Sequence, residues 1–390
     1  MPRPVVMCLV LMAAMVSAVA ACSSSPAPGA STTGARGTSA SDAPGLTAAR
    51  AAIARMEEVP AWTAPGGPVD IAALRGKRIF VIPITETPAG TAIENAEKQV
   101  AALTGVRLTF YLNQGAVSDW VRGMQVAIAQ KYNLILLEDA PDPRQLQPQI
   151  AAAKAAGIPV LVTHFYDSQM PAPPACQGCA AGVTAIVRAP LTQAASAMAD
   201  WMIAQSAGHA DALIVTVNGL LPIPDMIAAE KATFARDCPA CKVKVVSIEL
   251  TQLGNGPISA VSTALAQDPG IDYINPMFDV LIPGSLAAAQ SSGRAPHVTM
   301  LSYNGSQFAL KDVATASSPV KMDVAEPDGW IGYANMDQAF RLLARMKTVN
   351  ELTPIRVFNS SNIAQAGADF SGGFGDAYVA GFEKLWGVTG

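Results

Sequence analysis

At 390 residues the chain exceeds the usual size of one domain, and 51% hydrophobic residues suffice for two sizeable cores. A net charge of −4 without a basic cluster argues against nucleic acid as a partner. Three histidines in the whole chain argue against a multi-histidine metal site, so neither metal nor cofactor is expected.

Residues 1–22 read as a lipoprotein signal peptide. Arg3 supplies the positive start, and Val5 to Ala21 is apolar but too short for a stable span. The end of this stretch, Val19-Ala20-Ala21-Cys22, resembles the bacterial lipobox, which implies that Cys22 receives the lipid and becomes the mature terminus. Ordinary secretory cleavage near Ala21 is the alternative. Residues 23–46 are rich in Ser, Ala, Gly, Pro and Thr and bury too little to fold, which suits a disordered tether. An extension over 47–76 follows, with a short helix near 47–57 expected on the surface of the first domain.

From Lys77 strands and helices alternate. Ile79–Ile84 is an apolar strand, the loop through Glu86 sits at its carboxyl end, and Ile93, Ala96, Val100 and Leu103 give a one-faced helix. A strand over Val106–Leu112 and a helix over Val117–Gln130 come next. Leu134–Leu137 has the length of a buried parallel strand, Asp142 precedes Pro143 as a helix cap, and Gly157 stops that helix before the strand Ile158–Thr163. Asp139, Asp142 and the group His164 to Asp167 therefore fall at carboxyl ends of strands, where open α/β sheets bind ligands. Between 166 and 190 the composition predicts a Pro/Gly/Cys-rich insertion. Helices over 190–206, 225–236, 257–267 and 283–291 then alternate with strands over 212–217, 243–248, 271–275 and 298–302. Val320–Val324, a helix from Trp330 to Met346, Ile355–Phe358 and a helix over 374–386 complete the chain.

Cys176 and Cys179 form one C-x-x-C pair, Cys238 and Cys241 another. Outside the cytoplasm two local disulfides are expected, against cross-linked pairs or a four-thiolate zinc site. The sequence holds no G-x-S-x-G elbow, H-E-x-x-H helix or phosphate-cradling G-x-x-x-x-G-K, so no enzyme is expected. A hydrolase built on Asp142 and Asp279 is a weak alternative.

Ala156-Gly157-Ile158-Pro159-Val160, with the order of elements around it, resembles the ribose-type, class I periplasmic substrate-binding proteins of ABC transporters. The resemblance spans about residues 77–386. It implies an α/β fold of two similar Rossmann-like lobes with parallel sheets, joined by three crossovers. Residues 77–164 with 325–353 would form lobe I, and 165–324 with 354–390 lobe II and a C-terminal tail. It also implies a monomer outside the cytoplasm, anchored to the membrane by lipid alone. This monomer would deliver a small neutral solute (sugar, polyol or cyclic alcohol) to an ABC permease. A ligand-sensing co-receptor of the same fold is the alternative.

Carried over position by position, the resemblance puts Asp142, Asp279, Asn304, Asn218 and Glu326 at ligand-contacting positions, with Glu86 in the first loop. Asp142 reads equally as a helix cap, and Asn304 as a turn residue before Gly305. At the first crossover the family's aspartate–arginine pair is replaced by His164-Phe165, and an asparagine by Phe278. Phe165, Tyr166 and Phe278 then supply apolar faces, which favours a solute with fewer hydroxyls.

Overall fold

The computed structural model describes residues 44–139, 141–171, 173, 175 and 179–388. Its first part runs α1 (Pro44–Met56), β1 (Arg78–Pro83), α2 (Pro88–Thr104), β2 (Arg107–Phe110), α3 (Val117–Ala129), β3 (Leu134–Glu138), α4 (Gln147–Ala155), β4 (Val160–Asp167) and β5 (Ala185–Ala189). The chain continues through α5 (Leu191–Gln205), β6 (Asp211–Asn218), α6 (Pro222–Asp237), β7 (Lys242–Glu249), α7 (Gly256–Gln267), β8 (Tyr273–Pro276), α8 (Ile282–Ser291) and β9 (Thr299–Asn304). It closes with α9 (Gln307–Ala314), β10 (Val320–Ala325), α10 (Asp328–Leu343), β11 (Glu351–Leu352), β12 (Arg356–Asn359) and α11 (Ala377–Trp386).

The strands form two six-stranded sheets, ordered β11-β5-β4-β3-β1-β2 and β12-β10-β9-β8-β6-β7. Both follow one winding, 2-1-3-4-5 plus an edge strand, and all described pairings are parallel except β10 with β12. The central strands are apolar on both faces because helices cover both sides: β3 is buried along its whole length. Local signals set the helix ends. The Thr87 side chain accepts from the Gly90 N–H at the start of α2, and Gly105 (φ 79°) ends it in a left-handed turn.

Three placements differ from the sequence expectations. The segment 185–189, expected inside an insertion and on the second-lobe side of a boundary at 164/165, is a strand that pairs with β4 in the first sheet. Its five residues are all buried, but the Pro- and Cys-rich run before them masks the pattern. Helix α1 packs on the second half, not the first: Leu46, Ala49 and Ile53 join Ala194, Ala195 and Met198 of α5 in one core. Helix α11, expected with the second lobe, buries Phe382 and Trp386 in the core under β1 and β3 of the first sheet. The 3.6-residue period identifies the apolar face of such helices but not the surface it covers.

The stretch between α1 and β1 straps the two halves together. Glu57 is held at the second sheet, its backbone oxygen accepting from Arg356 Nε at 2.9 Å and its carboxylate from Asn359 Nδ2 at 2.6 Å. A few residues on, Trp62 meets Phe382 edge-on at 5.7 Å, and the Val69 N–H donates to the Leu385 oxygen at 2.8 Å. Cys238 and Cys241 are disulfide-bonded to each other, so neither is left for zinc or a cross-link. Cys176, the expected partner of Cys179, lies outside the described residues, as do Cys22 and the whole signal peptide. Among the described residues no helix is long and apolar enough to cross a membrane.

Candidate functional site

Each sheet reverses its winding between its first and third strands, and the carboxyl ends there are where this architecture places ligands. In the first sheet that point lies between β1 and β3, so the loop Ile84–Ala89 and Asp139 stand beside it. In the second it lies between β6 and β8, beside Val217, Leu220 and Phe278. One cavity of about 90 Å³ is lined by both sets, together with His164 and Phe165 from β4 and Tyr303, Asn304 and Glu326 from β9 and the end of β10.

The polar end is a short network. His164 Nε2 lies 3.0 Å from Glu326 Oε1, and Asn304 Nδ2 donates to Glu326 Oε2 at 3.2 Å. Burial alone would lower the imidazole's proton affinity, but Glu326 outweighs it and the net shift is upward. The Asp139 carboxyl is enclosed in the cavity wall. That desolvation, aided by Glu326 and opposed by His164, raises its pKa to about 7. Burial also pushes the Tyr303 hydroxyl well up, and Glu326, near enough to interact with Oη, adds to the rise. The other wall is carbon: Leu220, Leu250, Leu253, Phe278 and Val280.

Backbone strain is concentrated here. Asp139 (φ 46°), His164 (φ 54°) and Asn304 (φ 141°) all hold positive φ without being glycine, and all three line the cavity. Such conformations cost on the order of 1–3 kcal/mol each and persist where the surroundings over-determine them. Next to Asn304, Gly305 is required by close approach, since a Cβ there would lie 2.5 Å from that of Ala325.

Of the residues expected from sequence, the structure brings His164, Phe165, Phe278, Asn304 and Glu326 to the cavity wall. The other five lie elsewhere. Asp142 caps the turn after β3, accepting from the Arg144 N–H at 2.8 Å and pairing with its guanidinium at 2.6 Å. Tyr166 points away, its hydroxyl accepting from the Ala180 N–H, while its ring meets Phe165 edge-on at 5.0 Å. Asp279 is buried below the wall, where Oδ2 accepts from the Ser306 N–H at 2.7 Å. Burial raises its pKa and, further, that of Asp323 beside it; Asp279 pushes Asp323 higher while the hydrogen bond from Asp323 lowers Asp279, which favours one proton shared by the pair. Asn218 is exposed and donates to Glu249, and Glu86 is exposed on its loop. Among the wall residues that sequence reasoning left out are Tyr303, Leu220, Leu250, Leu253, Val280 and Asp139. Asp139 carried a signal, as the residue directly after an unbroken apolar strand. No group of three or more His, Cys, Asp or Glu among the described residues is placed to hold a metal ion.

Comparison with known proteins agrees with this architecture. The model of the periplasmic binding protein domain matches residues 79–347. A sugar ABC transporter protein from Yersinia enterocolitica superposes with a TM-score of 0.66 at 21% identity, over 84% of this chain and 99% of the other. A solute-binding protein from Agrobacterium vitis, bound to α-D-tagatopyranose, superposes at 0.64 and 18% identity, over 74% and 96%. A 5-methylthioribose transporter protein from Thermotoga lettingae does so at 0.62 and 16%, over 79% and 97%. No curated protein matches the chain in sequence. With the matched span covering more than half of its length and both sheets wound alike about one cavity, the chain belongs to the periplasmic binding protein domain family.

Proposed function

We propose that this protein captures a small sugar- or polyol-related solute outside the cytoplasmic membrane, held there by a lipid on Cys22, and presents it to an ABC permease. The observation that carries the reading is a cavity walled from the carboxyl ends of both sheets, polar at one end and apolar at the other. A solute touching both halves stabilises the form in which they approach each other, which is how binding becomes a signal a permease can read. The apolar wall favours a ligand with an exposed carbon face: apolar burial contributes about 25 cal/mol per Å², so one covered face can outweigh a lost neutral hydrogen bond. The neighbours bound to tagatopyranose and 5-methylthioribose support a ligand of this size.

The test is thermal denaturation of the purified protein against ribose, glucose, xylitol, deoxy-sugars, 5-methylthioribose and their amino-substituted relatives. A ligand at about 100 times its Kd adds about 2.7 kcal/mol of stability. Absence of stabilisation by every such solute would overturn the reading.

A further inference from the structure

The polar end of the cavity gathers more carboxyl groups than its described lining residues have basic side chains to pair with them. Asp139 and Glu326 line it. Asp328, in the first turn of α10, feels both of them, and its Oδ1 is buried with no partner. Against three carboxyls the wall offers one side chain able to carry positive charge, His164, and neither Lys nor Arg is among its lining residues. The amino end of α2, where Thr87 to Ala89 reach the cavity, adds only a fraction of a charge. Two further groups wait for a ligand. His164 Nδ1 is unpartnered, and Tyr303 Oη has only its interaction with Glu326; both residues are more than nine-tenths buried and line the same cavity.

We infer that the solute taken by this cavity carries a protonated amine, held between Asp139 and Glu326, with its carbon face on Leu250, Leu253 and Phe278. The inference rests on the solute-capture reading and adds the charge of the ligand, which the sequence alone suggests to be neutral. An ammonium group is all donor and an ionised carboxylate all acceptor, so the two match without an orphaned lone pair. It also supplies the countercharge that would let Asp139 and Asp328 ionise, which burial otherwise opposes. A polyol supplies donors but no charge. The carboxyls are not grouped as metal ligands, which favours an organic cation. Tyr303 Oη and His164 Nδ1 are then free to bond hydroxyls on the same solute.

Calorimetry on the purified protein at about pH 7, with matched pairs differing in one group, tests this directly. The pairs are 2-aminocyclohexanol against cyclohexane-1,2-diol, glucosamine against glucose, and glucamine against sorbitol. The amine of at least one pair should bind about ten-fold or more tightly than its alcohol. Asp139→Asn, an isostere whose residue type tolerates the left-handed backbone, should bring that ratio close to one. The unaltered protein gives a second readout: an amine that drives Asp139 and Asp328 to ionise releases protons, so its apparent enthalpy depends on the buffer, whereas that of the alcohol does not. Alcohols that bind as tightly as their amines, with no buffer dependence for either, overturn the inference and leave solute capture standing. If neither series binds at about 10 mM while the neutral sugars and polyols of the wider panel stabilise the protein, the amine inference alone falls; if those fail too, solute capture falls with it.

Discussion

The two halves share one winding but fill the same address with different chemistry. In the second half, Glu230 of α6 meets Asn275 on the third strand of the winding, whose Nδ2 donates to Oε1 at 2.8 Å. In the first half the matching helix, α2, presents Glu97, but the third strand presents Glu138, another carboxyl. The amide comes from α10 instead, Asn335 Nδ2 donating to Glu97 Oε1 at 2.9 Å. Burial raises the pKa of Glu97 to about 8 and that of Glu138 well above its ordinary value; Glu97 pushes Glu138 higher still, while the hydrogen bond from Glu138 eases the ionisation of Glu97. A buried site tolerates a net-neutral set, and there are two routes to one: pairing a carboxyl with an amide, or keeping protons on the carboxyls. Both halves combine them, since burial also raises the pKa of Glu230 to about 8, but only in the first half does the third strand of the winding set a second carboxyl at this address. The helices that enter each half follow the same divide. Helix α5 meets its neighbours through Ala194, Ala195, Ala197, Met198 and Met202, whereas α10 carries a fully buried Asp337–Arg341 pair at 2.7 Å that also accepts from Trp386 Nε1.

If the first half depends on paired polar groups, breaking one should cost more than any comparable change in the second. Asp337→Ala strands the Arg341 guanidinium and should lower stability by about 3–5 kcal/mol in urea denaturation, whereas Met198→Leu in α5 should cost less than about 1.5 kcal/mol. Close approach of α10 to α2 comes next. A Cβ on Gly332 would lie 2.7 Å from that of Ala96 and 2.9 Å from the Ile93 oxygen, so Gly332→Ala should cost about 1–3 kcal/mol. A third test uses pH. Glu97 and Glu230 both bind their proton more tightly folded than unfolded, so stability is full below the unfolded value near 4.5 and falls as pH rises towards about 8. Each contributes a slope of about 1.4 kcal/mol per pH unit in that window. Glu230→Gln should remove its share entirely, while Glu97→Gln should leave the slope that Glu138 still supplies. The smallest effect is expected from Cys238→Ser. Its disulfide closes a very short loop in the second half and should account for at most about 2 kcal/mol, read from the shift in denaturation midpoint.

Strand runs such as Leu134–Leu137 and Val160–Thr163 were legible because parallel strands covered on both faces are continuous in their apolar residues. Strand β5 was not, since five residues behind a Pro/Cys-rich stretch look like its tail, and β11 has two residues and no pattern at all. In the site, the departures His164-Phe165 and Phe278 were visible as substitutions and do line the cavity. Asp142 and Asp279 look equally ligand-like in one dimension. The structure aims one at Arg144 and the other at the Ser306 backbone, a matter of a side chain's direction that spacing does not encode.

The strap between α1 and β1 has a consequence for how far the halves can part. Its anchors, Glu57 on one side and Trp62 on the other, stand five Cα-to-Cα steps apart along the chain, which reach roughly 17 Å when fully extended. The strap therefore acts as a leash beside the other connections, and the cleft can gape only until that leash is taut. Lengthening it with glycines would give slack to the resting protein without touching a single atom of the cavity.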